Sequence, residues 1–328
     1  MPANLTPEYK EAERAYKEAR TPEDKLACLE HMLAVMPKHK GTEKLQADLK
    51  TKIAKLSSQD QKKGAGSRRS AMFNVSREGA GQVVLAGAPN SGKSTLLASL
   101  TNAQPEIADY PYTTLKPQPG MVQYQNVKIQ LVDLPPLGKE FTETWVPGVI
   151  RNADLALLIA NLASDDVLDE TEFVLNRLKE GKVELTPAIT ERYRPDGTAQ
   201  VKTRMVCTHA DHPDAPAVLE LVIEMFGRFP HWTVSAADPQ SLTAAKENIF
   251  TALQIVRVYT KTPGKKADLS DPVTMPLGST VMDFAVTIHK DLARELKYAR
   301  IWGKDKYDGI RVPRDYKLQD EDIVELHS

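Results

Sequence analysis

One nine-residue segment, Gly87–Thr95, restricts the possible folds more than any other part of this 328-residue chain. It reads Gly-Ala-Pro-Asn-Ser-Gly-Lys-Ser-Thr and stands between the apolar run Val83–Ala86 and the helix-like segment Thr95–Leu100. Glycines at both ends let such a loop point successive backbone N–H groups and a helix N-terminus at a β-phosphate, while the lysine reaches the β- and γ-phosphates and the next hydroxyl binds Mg²⁺. The segment therefore predicts a phosphate-binding loop between a strand and a helix, with a nucleoside triphosphate as its ligand.

Composition and charge exclude several kinds of protein. The chain is 41% hydrophobic and 27% charged, which suits two or three globular domains. Its net charge of −1 provides no global field for nucleic acid, so any such surface must be local. No apolar run approaches the roughly 20 residues of a membrane span, and the N-terminus lacks the apolar core of a signal peptide. Because Cys28 and Cys207 lie in apolar or strand-like surroundings without a partner motif, we expect reduced thiols, a cytoplasmic location and no membrane contact.

The first 70 residues predict a helical arm followed by a linker. Residues 7–56 are rich in Ala, Leu, Lys and Glu, with apolar residues at spacings of three and four, which predicts two helices broken near Pro37–Gly41. Ser57–Ser70 has no apolar periodicity and predicts a mobile linker. Basic residues outnumber acidic ones within Lys38–Arg69, which makes the arm a candidate for contact with RNA phosphates. A solvated helix face is the alternative explanation of such a run.

Residues 71–254 alternate strands with helices. This order predicts a mostly parallel sheet sandwiched by helices, and hence an α/β domain. The polar stretch Lys182–Lys202, which contains prolines and a glycine, predicts an exposed hairpin or loop outside the core. The predicted strands are Gln82–Ala86, Val127–Val132, Leu155–Asn161, Thr203–Thr208 and Thr233–Ser235.

Residues 255–328 predict a small separate module without a nucleophile, a metal cluster or a repeated acid pair. Trp302 has basic neighbours and is a candidate to stack on an RNA base, with a half-buried position in a small core as the alternative. The predicted elements are a helix at Val281–Asp291 and strands at or near Ile255–Thr260, Val273–Met275, Ala299–Trp302, Gly309–Val312 and Ile323–His327.

Two further groups stand where a bound triphosphate would need them. Asp133 follows the apolar strand Val127–Val132, and sheets of this kind bind ligands at the carboxyl ends of their strands, so its carboxylate is a candidate to hold Mg²⁺ through water. Without the phosphate loop, an aspartate at a strand end would indicate a turn. Thr113 and Thr114 offer a hydroxyl and a backbone carbonyl for Mg²⁺ and the γ-phosphate, with a plain connecting loop as the alternative.

The segment Gly87–Gly120, followed by Ile129–Pro135, resembles the Obg-type translation-associated GTPases, and within them the developmentally regulated GTP-binding (DRG) proteins. The arm and four C-terminal segments resemble the same family, so the likeness covers most of the chain. The resemblance implies GTP hydrolysis with Mg²⁺, a C-terminal TGS domain of ubiquitin-like β-grasp form, and a role around ribosomes or RNA. The four C-terminal segments are Val256–Lys261, Met275–Val281, Ile288–Leu292 and Ala299–Gly303.

The resemblance also implies the residues of the nucleotide site. The candidate catalytic residues are Lys93, Thr114 and Asn90. The candidate Mg²⁺ ligands are Ser94, Thr114 and Asp133. The residues expected around the nucleotide are Asn90, Ser91, Gly92, Lys93, Ser94, Thr95, Asp133, Thr208, His209, Asp211, Ser235 and Ala236.

The guanine-reading motif departs from the family pattern Asn-Lys-x-Asp, because Thr208-His209-Ala210-Asp211 takes its place. The Asp211 carboxylate can accept hydrogen bonds from N1–H and the 2-amino group of guanine, a pair that adenine cannot offer. Thr208 replaces only part of the asparagine hydrogen bonding, and His209 can stack on the base but lacks the long lysine stem. We expect a retained guanine preference with weakened affinity.

A second departure follows Asp133. The family's glycine three positions later is Pro136, which has no N–H to donate to a γ-phosphate, so closure on GTP is expected to be impaired. The next residue, Leu137, provides no glutamine-type side chain to orient water. In potassium-stimulated relatives the residue at the position of Asn90 helps to hold K⁺, so K⁺ is the second candidate cofactor. Stabilisation of the loop by the Asn90 side chain is the alternative.

Two functions of different classes follow from these observations. The first is a GTPase of the DRG branch that associates with the ribosome or RNA through its arm and TGS domain, with an accessory protein as a further partner. The second is a degenerate guanine-nucleotide-binding scaffold that hydrolyses GTP poorly, and Pro136 and Thr208 favour it. Asp211 argues against a third possibility, an ATPase.

Overall fold

The computed structural model describes residues 7–18, 22–36, 43–60, 75–101, 116–138, 142–304 and 306–327. The described residues form two compact units. The first unit takes its residues from Met1–Glu78, Gln82–Gly120 and Gln130–Leu242, and the second from Gly79–Gly81, Met121–Ile129 and Thr243–Ser328. The boundaries after residues 70 and 254 that the sequence suggests stay predictions.

A seven-stranded sheet forms from the described strands up to Thr233, in the order β2-β3-β1-β4-β6-β5, with β7 also paired to β6. The pairs β1–β3, β1–β4, β4–β6, β5–β6 and β6–β7 are all parallel. This result confirms the mostly parallel sheet. The strands are β1 (Gln82–Gly87), β2 (Gln118–Tyr124), β3 (Val127–Asp133), β4 (Leu155–Asn161), β5 (Val183–Thr186), β6 (Ala199–Thr208) and β7 (His231–Thr233).

The central strands read as nearly continuous apolar runs because both of their faces are covered. Every residue of β1 is buried, and so is every residue of β4 before Asn161. Parallel sheets bury both faces under the helices that connect their strands, which removes the polar alternation of half-exposed strands. The helices of this part of the chain are α4 (Lys93–Leu100), α5 (Val146–Asn152), α6 (Val167–Glu180), α7 (Ala215–Phe226) and α8 (Pro239–Leu253).

The arm contains three helices where the sequence predicted two. They are α1 (Pro7–Glu18), α2 (Pro22–Ala34) and α3 (Glu43–Asp60). The missed boundary is Pro22, since proline cannot continue a helix from the preceding residues but suits the first position of a new one. The three helices share a small core made of Tyr9, Ala12, Leu29, Met32, Met36 and Leu49.

Two loop predictions need correction. α3 continues to Asp60, so the first residues of the predicted linker Ser57–Ser70 are helical, and residues 61–74 lie outside the described part of the chain. Lys182–Lys202 is not wholly an exposed loop, because β5 and the beginning of β6 pair in parallel within it. Val183 and Val201 are fully buried. The sequence argument gave more weight to the prolines and glycine of this stretch than to the alternation of apolar residues at its two ends.

The second unit contains a five-stranded sheet in the order β11-β10-β12-β8-β9. β8 is parallel to β12 and antiparallel to β9, and β10 is antiparallel to both β11 and β12. This is the β-grasp arrangement that the family resemblance implies. The elements are β8 (Ile255–Thr260), β9 (Val273–Pro276), α9 (Val281–Ile288), α10 (Lys290–Glu295), β10 (Tyr298–Trp302), β11 (Ile310–Val312) and β12 (Asp322–His327).

The core of this sheet lies under α9, whose Phe284 and Ala285 are fully buried. Thr280 begins α9 with a capping box, because its hydroxyl accepts from the Asp283 N–H while the Asp283 carboxylate accepts from the Thr280 N–H. Trp302 is half-buried, and the Lys261 ammonium lies 4.6 Å from the centre of its ring. Stacking of Trp302 on RNA stays a prediction.

A buried arginine joins the turn between β2 and β3 to the C-terminal sheet within the second unit. The Arg257 side chain, which is 5% exposed, makes a two-pronged ion pair with Asp320, with hydrogen bonds of 3.0 and 2.6 Å. Its guanidinium also donates to the side-chain oxygens of Gln125 and Asn126. The Asn126 amide donates in turn to the Tyr259 hydroxyl over 2.6 Å. This network fixes a segment from the middle of the chain to its C-terminal part.

Among the described residues, no helix combines the length and the apolar composition that crossing a bilayer requires.

The first prediction concerns the core of the C-terminal sheet. Phe284→Ala should lower the free energy of unfolding of the second unit by about 3–5 kcal/mol, because it leaves a cavity where an aromatic ring is fully buried. The exposed Val286 on the same helix provides the control, and Val286→Ala should change this free energy by less than about 0.5 kcal/mol. Hydrogen exchange of the amides of residues 255–327 in increasing urea measures both effects. Equal effects of the two variants would contradict this core.

Candidate nucleotide-binding site

Four parallel strands end at one edge of the sheet, where their last residues carry the candidate groups. β1 ends at Gly87, β3 at Asp133, β4 at Asn161 and β6 at Thr208. The register pairs Asn161 with Thr208, so these two ends are level. Gly87 pairs with Ile159 and Asp133 with Leu85, so β1 ends two residues before the end of β4 and β3 ends two residues before the end of β1. Open α/β sheets bind ligands at this edge.

The loop from Ala88 to Gly92 connects β1 to α4 and depends on residues that tolerate left-handed backbone. Asn90 has φ +55° and Gly92 has φ +88°, a region that glycine enters freely and asparagine more readily than most residues. Gly87 is needed for space, because a Cβ atom there would lie 2.8 Å from Ser91 Oγ and 3.0 Å from the Ile159 carbonyl oxygen. Gly87 is therefore required by the close approach of neighbouring atoms, and Gly92 is required by the left-handed backbone of the turn.

Lys93 lies under this loop and is bonded to it. Its ammonium donates to the Ala88 carbonyl over 2.6 Å and, over 3.2 Å each, to the Gly87 carbonyl and Ser91 Oγ. Burial lowers the pKa of Lys93 to about 8, while the negative charge of Asp133 opposes that shift. The loop thus surrounds a buried cation, and an anionic group bound there would compensate its charge.

Ser94 and Asp133 meet beside the lysine. Ser94 Oγ donates to Asp133 Oδ2 over 2.5 Å. The other oxygen, Oδ1, is buried and has no hydrogen-bond partner among the described residues. Burial raises the pKa of Asp133, and the bond from Ser94 and the charge of Lys93 oppose this shift.

A hydroxyl and a buried carboxylate oxygen that lacks a partner are a donor set that suits Mg²⁺, a hard cation that prefers oxygen ligands. The residues present therefore fit the metal that the sequence predicts. Thr114, with Thr113, lies outside the described residues, and the structure gives no information on its role.

The segment after Asp133 is tied to the loop by its backbone. The Leu137 N–H donates to the Gly87 carbonyl over 3.1 Å. The side chains of Leu134 and Leu137 are each 1% exposed and belong to the core of the first unit. Leu137 therefore directs its side chain into the core, and its N–H already has an acceptor, while Pro136 has no N–H to offer.

The base-reading segment contacts the phosphate loop directly. Thr208 Oγ1 donates to the Ser91 carbonyl over 2.9 Å, and Nδ1 of the exposed His209 lies 3.2 Å from the same hydroxyl. A Cβ atom on Gly92 would lie 3.3 Å from Thr208 Oγ1. The threonine hydroxyl thus links the predicted guanine-reading motif to the loop.

Asp211 lies at the surface beyond this contact, as a group that reads a base must. A hydrogen bond from Ser235 is the main cause that lowers the pKa of its carboxyl, and nearby His209 and His212 act in the same direction. The Ala210 N–H donates to the Val234 carbonyl over 3.3 Å, which brings the turn at Ser235 and Ala236 beside the motif. The structure therefore groups the predicted base-reading residues, separately from the Lys93, Ser94 and Asp133 group.

Sequence reasoning missed Asn161. Its side-chain Nδ2 donates to the Asn90 carbonyl over 3.3 Å, and its Oδ1 accepts from the Ala163 N–H over 2.9 Å. The available signal was a polar residue at the end of an apolar strand, the same signal that selected Asp133.

Comparison with known protein families matches two parts of the chain. Residues 82–190 match the family described as 50S ribosome-binding GTPase, and residues 256–328 match the TGS domain. Developmentally-regulated GTP-binding protein 1 of Xenopus laevis is 28% identical over 360 aligned residues, which span 92% of this chain and 98% of that protein. An uncharacterized GTP-binding protein of Methanocaldococcus jannaschii is 30% identical over 363 aligned residues, which span 93% of this chain and 92% of that protein. The chain belongs to the DRG family of GTP-binding proteins.

Membership of the DRG family confirms the resemblance and the fold class: a P-loop GTPase fold with a mostly parallel sheet and a C-terminal TGS domain. It also makes GTP the nucleotide of this chain, as a member of a GTP-binding family. A solved structure of a GTP-binding protein from Pyrococcus horikoshii OT3 is 18% identical and gives a TM-score of 0.49, covering 75% of this chain and 99% of that one.

The second prediction concerns the buried charge of Lys93. Its pKa is about 8 in the folded protein against an ordinary 10.5, so between these values the unfolded chain holds the proton that the folded chain has lost. The free energy of unfolding should therefore rise with pH in this window, by about 1 kcal/mol per pH unit. Lys93→Met removes this contribution. Urea unfolding of the nucleotide-free wild type and variant from pH 7.5 to 10.5 measures it, and parallel pH profiles would contradict the prediction.

Proposed function

We propose that this chain binds GTP and hydrolyses it slowly to GDP and phosphate. The observation that carries the proposal is the pairing of Ser94 with Asp133 beside Lys93, at the end of a phosphate loop. Among the residues that the structure describes, one buried carboxylate oxygen has no partner and the buried ammonium is bonded only to neutral oxygens, so both groups are incomplete without a ligand. A triphosphate with its metal would supply the missing partners of both.

In this proposal, water attacks the γ-phosphate in line with the bond that breaks. Lys93 exchanges its carbonyl acceptors for phosphate oxygens and stabilises the charge that develops on them. Ser94, Thr114 and, through water, Asp133 would hold Mg²⁺, which would neutralise phosphate charge when bound. Leu137 provides no group to orient the water because its side chain is buried, so the rate of the isolated protein should be low.

Guanine selectivity is assigned to Asp211. Its lowered pKa keeps the carboxylate ionised and able to accept from N1–H and the 2-amino group of guanine. The backbone at Ser235 and Ala236 would contact the guanine carbonyl. Thr208 contributes less than an asparagine would, since its only hydroxyl hydrogen is engaged by the carbonyls of Ser91 and Ala160. His209 is exposed and free to cover one face of the base.

Stimulation by K⁺ is the next part of the proposal. The side chain of Asn90 is exposed on the loop, and its amide oxygen is a ligand that a monovalent cation accepts. A cation held there would supply positive charge beside the phosphates, which is the electrostatic contribution that an arginine makes in other phosphoryl-transfer enzymes.

A second candidate function is a nucleotide-binding scaffold with negligible turnover. One specific observation favours it: the Leu137 N–H is bonded to the Gly87 carbonyl, and Pro136 has no N–H. The segment after Asp133 therefore has no free backbone donor at either position for a γ-phosphate. A chain without these backbone donors would bind GTP and GDP with similar affinity.

We further propose that the protein associates with the ribosome or another RNA through its arm and TGS domain, and that an accessory protein is a further partner. Two observations support the RNA part: the family matched by residues 82–190 is described as ribosome-binding, and α3 presents exposed lysines such as Lys50 and Lys52. Such contacts are electrostatic and weaken with salt.

The third prediction is that purified protein releases phosphate from Mg-GTP faster in KCl than in NaCl, and binds GTP and GDP more tightly than ATP. Lys93→Ala should abolish turnover, and Asn90→Ala should remove the difference between the two salts. Phosphate release and competition with labelled GDP measure these effects. Selective binding without turnover above the Lys93→Ala level would establish the scaffold instead, and equal affinity for ATP would contradict guanine recognition.

The fourth prediction concerns the arm. The double variant Lys50→Glu and Lys52→Glu should weaken co-sedimentation with ribosomes at low salt, because it reverses two exposed charges on α3. Lys179→Glu with Lys182→Glu, two exposed lysines near the end of α6 and outside both the arm and the TGS domain, is the control with the same change in net charge. Equal losses for the two double variants would show that only net charge matters, which would contradict a specific role of the arm.

A further inference from the structure

The side chains of β10 alternate between the two faces of the C-terminal sheet. Ala299 and Ile301 are fully buried in the core under α9. Tyr298, Arg300 and Trp302 therefore lie on the opposite face, which we call the outer face. Arg300 is exposed there, and the two aromatic residues are half-buried. The outer face is thus in contact with solvent, as one face of such a sheet commonly is.

Two arginines stand directly opposite each other on the outer face. The antiparallel register pairs Arg300 of β10 with Arg311 of β11, and both side chains are exposed. Like charges in directly opposite positions destabilise a sheet. The stability of the fold therefore does not account for this pair.

The carboxylate in the same row of the sheet is already bonded to other groups. Glu325 of β12 lies opposite Arg300 in the register. One of its oxygens accepts from the Lys261 ammonium, and the other lies 2.7 Å from Nε2 of His327. Among the residues that the structure describes, neither Arg300 nor Arg311 has an ion-pair partner. The row thus carries more positive than negative charge.

An aromatic ring holds Arg311 in place. The guanidinium carbon lies 3.9 Å from the centre of the Tyr298 ring. The His327 ring is stacked on Tyr298, with 4.7 Å between centres and 10° between planes. Because β11 and β12 flank β10, Arg311 and His327 approach the tyrosine from opposite sides. A guanidinium that lies on a ring keeps its N–H donors at its edge, where they fit the oxygens of a phosphate in pairs.

The aromatic rings of the outer face are covered by other groups. The Tyr298 ring has a cation against one side and an imidazole against the other. The Lys261 ammonium lies 4.6 Å from the centre of the Trp302 ring, and a Cβ atom on Gly309 would lie 3.1 Å from Cζ2 of that ring. RNA bases bind sheet faces by stacking on exposed rings. The outer face therefore suits phosphates better than bases, and stacking on Trp302 would require Lys261 to move.

We propose that the outer face is a docking surface for the sugar–phosphate backbone of RNA, with Arg300 and Arg311 as a pair of phosphate-binding residues. The inference rests on the proposed association with RNA, and it names the surface and the part of the RNA that is contacted. A nucleic-acid backbone carries closely spaced negative charges, so it can relieve the repulsion of both arginines at once. Contacts with phosphates carry no base sequence information directly, so the binding is independent of sequence.

The test uses the full-length protein and labelled single-stranded RNA, either oligo(U) or oligo(A), of roughly 15 nucleotides. One double variant, Arg300→Gln with Arg311→Gln, removes both charges, and a second, Arg300→Lys with Arg311→Lys, keeps the charges but loses the planar guanidinium. The matched control is Arg294→Gln with Arg314→Gln, two exposed arginines of the same unit that lie on α10 and beside the start of α9. Fluorescence anisotropy between 50 and 200 mM KCl measures affinity, and thermal unfolding checks that each variant is folded.

Loss of both arginines should weaken binding about 10-fold or more at low salt, because each makes charge-assisted hydrogen bonds to phosphate. The slope of log affinity against log salt should become shallower by about 1.4, at about 0.7 for each phosphate contact on a single strand. Both effects should be equal for oligo(U) and oligo(A). The lysine variant should keep the wild-type slope and bind more weakly, and the control variant should bind as the wild type does.

Three results would overturn the inference. Equal losses in the two glutamine variants would show that only the net charge of the second unit matters. A loss confined to one of the two RNA sequences would assign the outer face to base recognition. Displacement of labelled RNA by polyglutamate as effectively as by unlabelled oligo(U) would assign the face to an acidic polypeptide. Failure of the wild type to bind RNA at all would instead refute the proposed RNA association, so the two failures are distinguishable.

Discussion

The burial of β1 between two parallel neighbours is the constraint on which the site depends. Every residue of β1 is buried, and its pairing with β3 and β4 fixes the height at which each strand ends. The strand ends at Gly87, Asp133 and Asn161 therefore lie at the same edge of the sheet. A register shift of one residue would turn the core-facing side chains of a strand to its opposite face, and the apolar core excludes this shift. The packing of the core therefore determines the spacing of the polar groups at the strand ends.

Sequence reasoning succeeded where a local pattern has a single structural solution. The phosphate loop, the strand before it and the aspartate at the end of β3 follow from residue types at fixed spacing, and five C-terminal strands follow from apolar alternation. It failed where the outcome depends on tertiary partners. The strand Val183–Thr186 gains its stability from pairing with β6, and Asn161 gains its contact from a loop about 70 residues away, as the Asn90–Asn161 separation of 71 shows. The local sequence carries a signal for each element, namely apolar alternation for the strand and a polar residue at a strand end for Asn161, but it does not identify the partner.

The substitutions in the guanine-reading motif and after Asp133 change the site in different ways. Thr208 contacts the loop through its hydroxyl, which donates to the Ser91 carbonyl, so the loop is bonded to the end of β6. Pro136 removes a donor, and the neighbouring Leu137 N–H is already bonded to the Gly87 carbonyl. Under the proposed function, the first change would affect recognition of the base, whereas the second would affect how the protein distinguishes the triphosphate from the diphosphate.

The Arg257 network has a consequence for the order in which the chain acquires its structure during synthesis. Arg257 is bonded to Gln125 and Asn126, which precede it by 132 and 131 residues, and to Asp320, which follows it by 63 residues. The turn between β2 and β3 therefore leaves the ribosome long before its partners exist. Its polar groups must remain hydrated until Asp320 and the strand after it have been made, so the second unit can complete its folding only after β12 has left the ribosome.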